Sequence, residues 1–425
     1  MTGYNPLMKI IYISLILFYL VTNCCNIQAE EDAVIPPATP QQQSPEQGCV
    51  VFADTSFNMR GFFKPSKSSS EEGAVQKYLH TELRNFVSEN KLYPLFWSTF
   101  SNEIPTPVQL NENIGTYFSY KSDKDVKDFF RHIHSDLAGL FMSPEFGKHS
   151  VSIIITDGIQ STEDGFDIGG MINALESRIS EANEGLHLYL FGFEADFDGF
   201  VLPLHSHESP FWHKGKRPFY IWLVTHDAEL KRDMEKRISG FTDDFRSVGL
   251  TDISLPVAHV SLDSSSQNRS KQKNYVYIER PDGVVDLKLS GISTGTIQIP
   301  LTIESDSSVT NDGYYRLKLQ LESSVEWAET TESEGKWYIS LNCDRVPSSG
   351  FFGGGSRNEI IIKTIAIPDK DKWWWREWST ENITTSTTRV DADKTLYLNR
   401  IGKQLLEPIY NAPHDIESVT FRIKK

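Results

Sequence analysis

Two short runs constrain what this chain can fold into more than any other feature. "CVVFAD" (Cys49 to Asp54) and, apart from Ser152 and Thr156, "VSIIITD" (Val151 to Asp157) are apolar without alternation, and each stops abruptly on an aspartate. A strand with one wet face alternates apolar and polar residues. A strand buried on both faces does not, and the layer that buries it is a mostly parallel sheet covered by helices. Around these runs the apolar spacing switches to that of a helix. Val75, Tyr78, Leu79, Leu83, Phe86 and Val87 form one helical face. Val126, Phe129, Phe130, Ile133, Leu137, Leu140 and Phe141 form one continuous stripe behind a capping-box pattern at Ser122 to Asp125, and Ile168, Met171, Ile172, Leu175 and Ile179 form a third face. "LYPLFWSTF", "LHLYLFGFE" and "RPFYIWLVT" supply further strands, the last leading to a helix from about Asp227 to Ser239. Strand and helix in turn predict an α/β domain over residues 49–245, with a mostly parallel sheet between helical layers.

Beyond residue 246 the pattern changes. "NYVYIERPDGVVDLKLSG", "TIQIPLTIES", "YYRLKLQLES", "KWYISLNC" and "NEIIIKTIAI" are short alternating strands parted by Asp, Gly, Ser and Asn clusters, which predicts an all-β, sandwich-like domain over 246–370. Residues 371–425 carry "DKWWWREWST", a helical pattern in "LYLNRIGKQLLEPIY" and a strand "SVTFRIK", read as a small α/β cap packing on the β-domain.

The N-terminus reads as an export signal over residues 1–25. Lys9 precedes the apolar run Ile10 to Val21, which is shorter than the ~20 residues that cross a bilayer. Cys24 and Cys25 follow where a bacterial lipoprotein signal carries its acylated cysteine; a plain secreted protein cut near Ala29, or a retained anchor, is the alternative. Residues 26–48, rich in Pro, Gln and Glu, read as an extended tether holding the folded part off a membrane. Only Cys49 and Cys343 then remain, too few for a disulfide framework, and they read as buried thiols. A formal net charge of −15 on 425 residues opposes nucleic acid and favours cations or cationic partners.

In open α/β sheets, ligands bind outside the carboxyl ends of the strands. Asp54, Ser56 and Asn58 follow one such end and Asp157 follows another, so if the strands are neighbours, oxygen-bearing side chains converge on one spot. Hard divalent cations such as Mg²⁺, Mn²⁺ or Ca²⁺ take such oxygens.

The motif "DTSFNMRG" resembles the DxSxSMxG motif of von Willebrand factor A-type domains, and "IIITDG" is similar to their later strand ending in Thr-Asp-Gly. The resemblance covers about residues 49–245. It implies a Rossmann-like α/β fold and a metal-ion-dependent adhesion site, in which an ion recruits an acidic side chain of a protein partner. Asp54 and Ser56 match the first acid and hydroxyl, Met59 and Gly61 the Met and Gly, and Asp157 the distal acid, while Asn58 replaces the second serine. For the family's threonine ligand, Thr116, Ser119 and Ser122 are the candidates, and Ser122 is equally explained as a helix N-cap.

The expected function is therefore that of an exported, tethered binding protein and not an enzyme. A metal-dependent hydrolase would need metal at Asp54 and Asp157 and a histidine from "LHSHESPFWHK" (His205, His207, His213, beside Glu208). A scaffold subunit with a vestigial ion site is the third reading. His132 and His134, two apart on the predicted middle helix, point to different faces. Trp373, Trp374, Trp375 and Trp378 are either packed core or an aromatic platform. "FFGGGSRN" lacks the P-loop lysine and reads as a hairpin turn. Asn268 and Asn382 sit in glycosylation sequons that carry meaning in a eukaryotic source.

Overall fold

The continuous apolar runs are strands because helical layers cover them on both sides. The computed structural model describes residues 45–64, 73–111, 114–162, 167–181, 185–202, 210–242, 244–251, 255, 258–262, 275–281, 283–289, 295–305, 314–322, 325–347, 358–380, 393–396 and 398–424. The expected export signal, the tether up to residue 44, His205, His207, Glu208, the triple-glycine run, Asn268 and Asn382 lie outside the described residues.

Strand β1 (Glu46–Asp54) begins three residues earlier than expected, inside the supposed tether. A helix, α1, runs through Ala74–Lys77, a π-turn at Tyr78–Leu83 and Arg84–Glu89. It leads to β2 (Leu95–Phe100), parallel to β1, and to the short edge strand β3 (Val108–Gln109). Helices α2 (Asp123–Phe129) and α3 (Leu137–Met142) precede β4 (His149–Thr156), which pairs with β1 in parallel. After α4 (Ile168–Glu181) come β5 (His187–Val201) and β6 (Phe211–Thr225), then α5 (Glu229–Ser239) and β7 (Phe245–Gly249). The sheet order is β3-β2-β1-β4-β6-β5-β7.

This layer corrects the mostly parallel expectation. Strands β5 and β6 are one long hairpin, paired from His187↔Thr225 to Val201↔Phe211, and β6 inserts antiparallel between β4 and β5. Four strands run one way and three the other. The two strands of the hairpin stay paired along their whole length, including a stretch that projects beyond the end of β4.

Alternate residues of β1 serve opposite faces. Cys49, Val51 and Ala53 meet α1 (Val75, Leu79, Phe86) and α5 (Met234, Ile238), while Val50 and Phe52 meet α3 (Leu140, Phe141) and α4 (Met171, Leu175). The second face also takes Trp373, Trp374, Trp375, Trp378 and Tyr410. The tryptophans therefore pack against the α/β sheet, and Trp374 and Trp375 also meet Tyr314, just before the strand Tyr315–Leu321 of the β-domain on which they were expected to pack. Gly192 of β5 makes the contact possible, because a Cβ there would lie 2.8 Å from the Trp378 ring.

Apart from the short parallel pair Ser379–Thr380 and Thr395–Leu396, the remaining strands form a sandwich. One sheet contains β8 (Ala258–Leu262), β11 (Thr296–Ser305), β13 (Ala328–Ser333) and β14 (Lys336–Asn342). The other contains β9 (Tyr275–Glu279), β10 (Val284–Leu289), β12 (Tyr315–Leu321), β15 (Asn358–Pro368) and the C-terminal strand His414–Lys424, which lies between β15 and β10. Ile299, Ile339, Leu319, Ile360 and Phe421 share its core. Residues 45–425 form one compact unit. Among the described residues no helix is long and apolar enough to cross a membrane.

Candidate functional site

Strands β1 and β4 are hydrogen-bonded neighbours in parallel register, Ala53 opposite Ile155, so their carboxyl ends emerge side by side. The backbone thus delivers Asp54 and Asp157 to one crevice. Asp54 is fully buried and fully used. Its Oδ1 accepts the Ser56 backbone N–H at 2.7 Å, and its Oδ2 accepts the hydroxyls of Ser135 at 2.8 Å and Thr156 at 2.9 Å. One carboxylate therefore ties together three separate segments.

Asp157, equally buried, accepts the Ile159 N–H on Oδ1 at 3.2 Å, while its Oδ2 has no hydrogen-bond partner. The buried Ser56 hydroxyl lies close enough to Asp54 to help lower its pKa, but no partner stands in hydrogen-bond geometry to it. Asn58 is buried beside them, but its Oδ1 accepts the Leu202 N–H at 3.0 Å, which ties the motif loop to the end of β5. Met59 is core, and Gly61 admits the hairpin, since a Cβ there would lie 2.2 Å from the Phe197 ring.

Ser122 does not join this group. It is the exposed N-cap of α2, accepting the Asp125 N–H at 3.2 Å. Thr116 and Ser119 are likewise exposed, and Ser119 donates to the Gly115 carbonyl. Besides Thr156, the hydroxyl that reaches Asp54 is that of Ser135, from a segment expected to be helix. The expected stripe from Val126 to Phe141 is broken: Phe130 leaves α2 with φ −95° and ψ 61°, and residues 131–136 cross the crevice. There His132 bridges Ser56 and Ser135 bridges Ser161, which stitches the segment to the loops after β1 and β4. His132 and His134 consequently lie on no helix.

Arg217 is the site's third charge. It lies on the part of β6 that runs past the end of β4, is 1% exposed, sits 4.8 Å over the Phe197 ring, and has no hydrogen-bond partner on Nε or Nη1. Its charge lowers the Asp157 pKa, yet burial wins and Asp157 remains raised above the carboxylate range. Asp54 is raised by burial and then by the neighbouring Asp157 charge, against the pull of its Ser56 and Ser135 hydrogen bonds. Burial in turn lowers the Arg217 pKa, with Asp157 opposing. Two carboxylates and one guanidinium leave the pocket one negative charge in excess when all are ionised.

Among the described residues, no three His, Cys, Asp or Glu side chains come together as a metal cluster. The donors here are of another type: two carboxylates, the Ser56 hydroxyl and an amide oxygen. Ser56 Oγ and Asp157 Oδ2, buried and unbonded, suit a hard cation; Asn58, already bonded to Leu202, fits less well.

Thr156 stood in the quoted "IIITDG" run, just before the distal acid, but was not singled out as a site residue. Ser135 and Arg217 carried no usable local signal. His213, on the hairpin, lies 5.9 Å from the Phe197 ring by centroids. The tryptophans are buried core and not a platform, and Trp374 Nε1 donates to the Tyr314 hydroxyl at 2.7 Å. Cys49 and Cys343 are buried free thiols. Comparison of the chain with protein-family models, with curated proteins and with solved structures finds no match.

Proposed function

We propose that residues 46–249 are a von Willebrand factor A-type module of an exported, envelope-tethered binding protein, and that its Asp54–Asp157 pocket takes a divalent cation to bind a carboxylate of a protein partner. One observation carries this reading. At adjacent strand ends, Ser56 Oγ and Asp157 Oδ2 are buried oxygens with no partner in hydrogen-bond geometry. Leaving such a group unsatisfied costs about 1–3 kcal/mol, more when it is charged, and a cation relieves both at once.

The chain's own residues divide the work. Asp54, held by Ser56, Ser135 and Thr156, fixes the relative positions of three loops and supplies negative charge. Ser56 and Asp157 supply free oxygens, and Asn58 locks the motif loop to the hairpin. Arg217 limits the excess negative charge, so the pocket stays folded when the ion is absent. Mg²⁺, Mn²⁺ or Ca²⁺ bound there would supply a positive centre that a partner's Asp or Glu can complete.

Arg217 also favours a second reading. A buried guanidinium beside Asp157, with Asn58 turned to Leu202, suits a scaffold whose ion site has been replaced by an internal cation. Titration calorimetry with Mg²⁺, Mn²⁺ and Ca²⁺ on the purified chain and on Asp54→Ala separates the two. Adhesion requires a binding heat that the variant lacks; identical responses from the two proteins assign the pocket to the scaffold.

A further inference from the structure

A cleft away from Asp54 has the opposite charge to the rest of the molecule. It lies between the start of β7 and the turn that carries the tryptophans, with a volume of about 730 Å³. Arg246, Lys370, Lys372 and Arg376 line it against two carboxylates, Asp371 and Glu377. In a chain of net charge −15, a concave surface with two cations in excess is a local reversal of sign.

How these cations are held matters more than their number. Lys370 Nζ lies 5.5 Å and Arg376 Cζ 4.7 Å from the Trp373 ring, and Arg246 Cζ lies 5.9 Å from the Trp378 ring. A ring face positions a cation without cancelling its charge. Arg376 is paired with Glu407, at 2.7 Å, but Lys370 and Lys372 form no ion pair with any described residue. The indole N–H of Trp373, a residue 2% exposed that lines the cleft, has no acceptor, whereas that of Trp374 is satisfied by Tyr314. Positioned, uncancelled cations are complementary to oxygen acceptors that carry negative charge. The volume is that of a small-molecule site. With Trp373 covered, its ring offers no open face for a neutral sugar.

We infer that this cleft is a binding site for a small polyanion carrying at least two oxyanion groups, held chiefly by Lys370, Lys372 and Arg246. The inference does not depend on the Asp54–Asp157 pocket. Phosphate esters and polycarboxylates share the required chemistry, and the probes separate them. Binding of pyrophosphate and of citrate is measured by calorimetry and by tryptophan fluorescence, on the intact chain and on the double variant Lys370→Ala/Lys372→Ala. Both lysines are exposed, so the variant keeps the fold. The expected result is saturable binding of at least one probe, weakened tenfold or more in the double variant and unaltered in Lys336→Ala, an exposed lysine on β14. Tight binding of pyrophosphate alone assigns a phosphate-bearing ligand, and of citrate alone a polycarboxylate. No binding of either probe at millimolar concentration, or equal binding by the double variant, overturns the inference.

Discussion

Replacing Asp54 by Asn removes one negative charge from the pocket while keeping its shape. The amide oxygen still accepts the Ser56 N–H, and the amide nitrogen can donate to the Ser135 and Thr156 hydroxyls, whose oxygens have lone pairs to receive it. Burial and Asp157 push the Asp54 carboxyl up from 3.8 to about 7. A carboxyl whose folded pKa lies above its unfolded value stabilises the fold fully only at acid pH, and that contribution is lost as pH rises through the folded value. About 3 pH units at 1.36 kcal/mol each is at most about 4 kcal/mol of destabilisation at pH 8 in the ion-free protein. Asp54→Asn in EDTA at pH 8 should therefore be more stable than the parent, by up to roughly 5 °C in melting temperature for a cooperative unit of this size. The advantage should shrink towards pH 4, where the parent carboxyl is protonated. With Mg²⁺ the order should reverse, because only the parent gains. Calorimetric melts across pH 4–8, with EDTA or Mg²⁺, measure all three. An Asn variant less stable than the parent at pH 8 in EDTA, or a difference independent of pH, refutes the reasoning.

Arg217→Met leaves the Asp157 carboxylate without its buried counter-charge and should cost about 3–5 kcal/mol at pH 8 in EDTA; Mg²⁺ should bind it more tightly than the parent by calorimetry, and weaker binding would contradict the charge assignment. Ser135→Ala removes a hydrogen bond to Asp54 and should lower Mg²⁺ affinity, whereas Ser122→Ala should cost about 1 kcal/mol through its helix cap and leave the affinity alone. Gly61→Ala forces a Cβ onto Phe197, a ring confined by Phe62 and Arg217, and a loss of about 1–3 kcal/mol is expected in denaturant unfolding. Trp374→Phe removes the indole N–H that donates to the Tyr314 hydroxyl, which keeps its own donation to the Ser247 carbonyl, and should lower the melting temperature by an amount equivalent to about 0.5–1.5 kcal/mol, with faster proteolysis of the C-terminal segment.

Much of the layer around the crevice was legible. Strands β1 and β4 were readable because burial on both faces leaves no polar/apolar alternation and no charged side chain until the chain exits the sheet, so each aspartate marks a strand end. The helices over 75–87, 168–179 and 229–239 were readable because each presents one face to one layer. The stripe from Val126 to Phe141 misled for a specific reason. Val126 and Phe130 serve the core on one side of the sheet, and Leu137, Leu140 and Phe141 serve the core on the other, yet the apolar spacing continues across the gap. The break between them carries Ser135 to Asp54. The Trp cluster was legible as buried aromatic area, but nothing in "WWWREW" says which core it enters.

Local pattern alone placed Asp54, Ser56 and Asp157 at the ends of buried strands, since alternation and its absence are properties of neighbouring residues. Sheet order, the insertion of β6 between β4 and β5, and the arrival of Ser135 and Arg217 at the same crevice were decided in three dimensions. Those outcomes depend on pairings between residues far apart in the chain, such as Ile155 with Ile221, whose free energy exists only once the layers have packed.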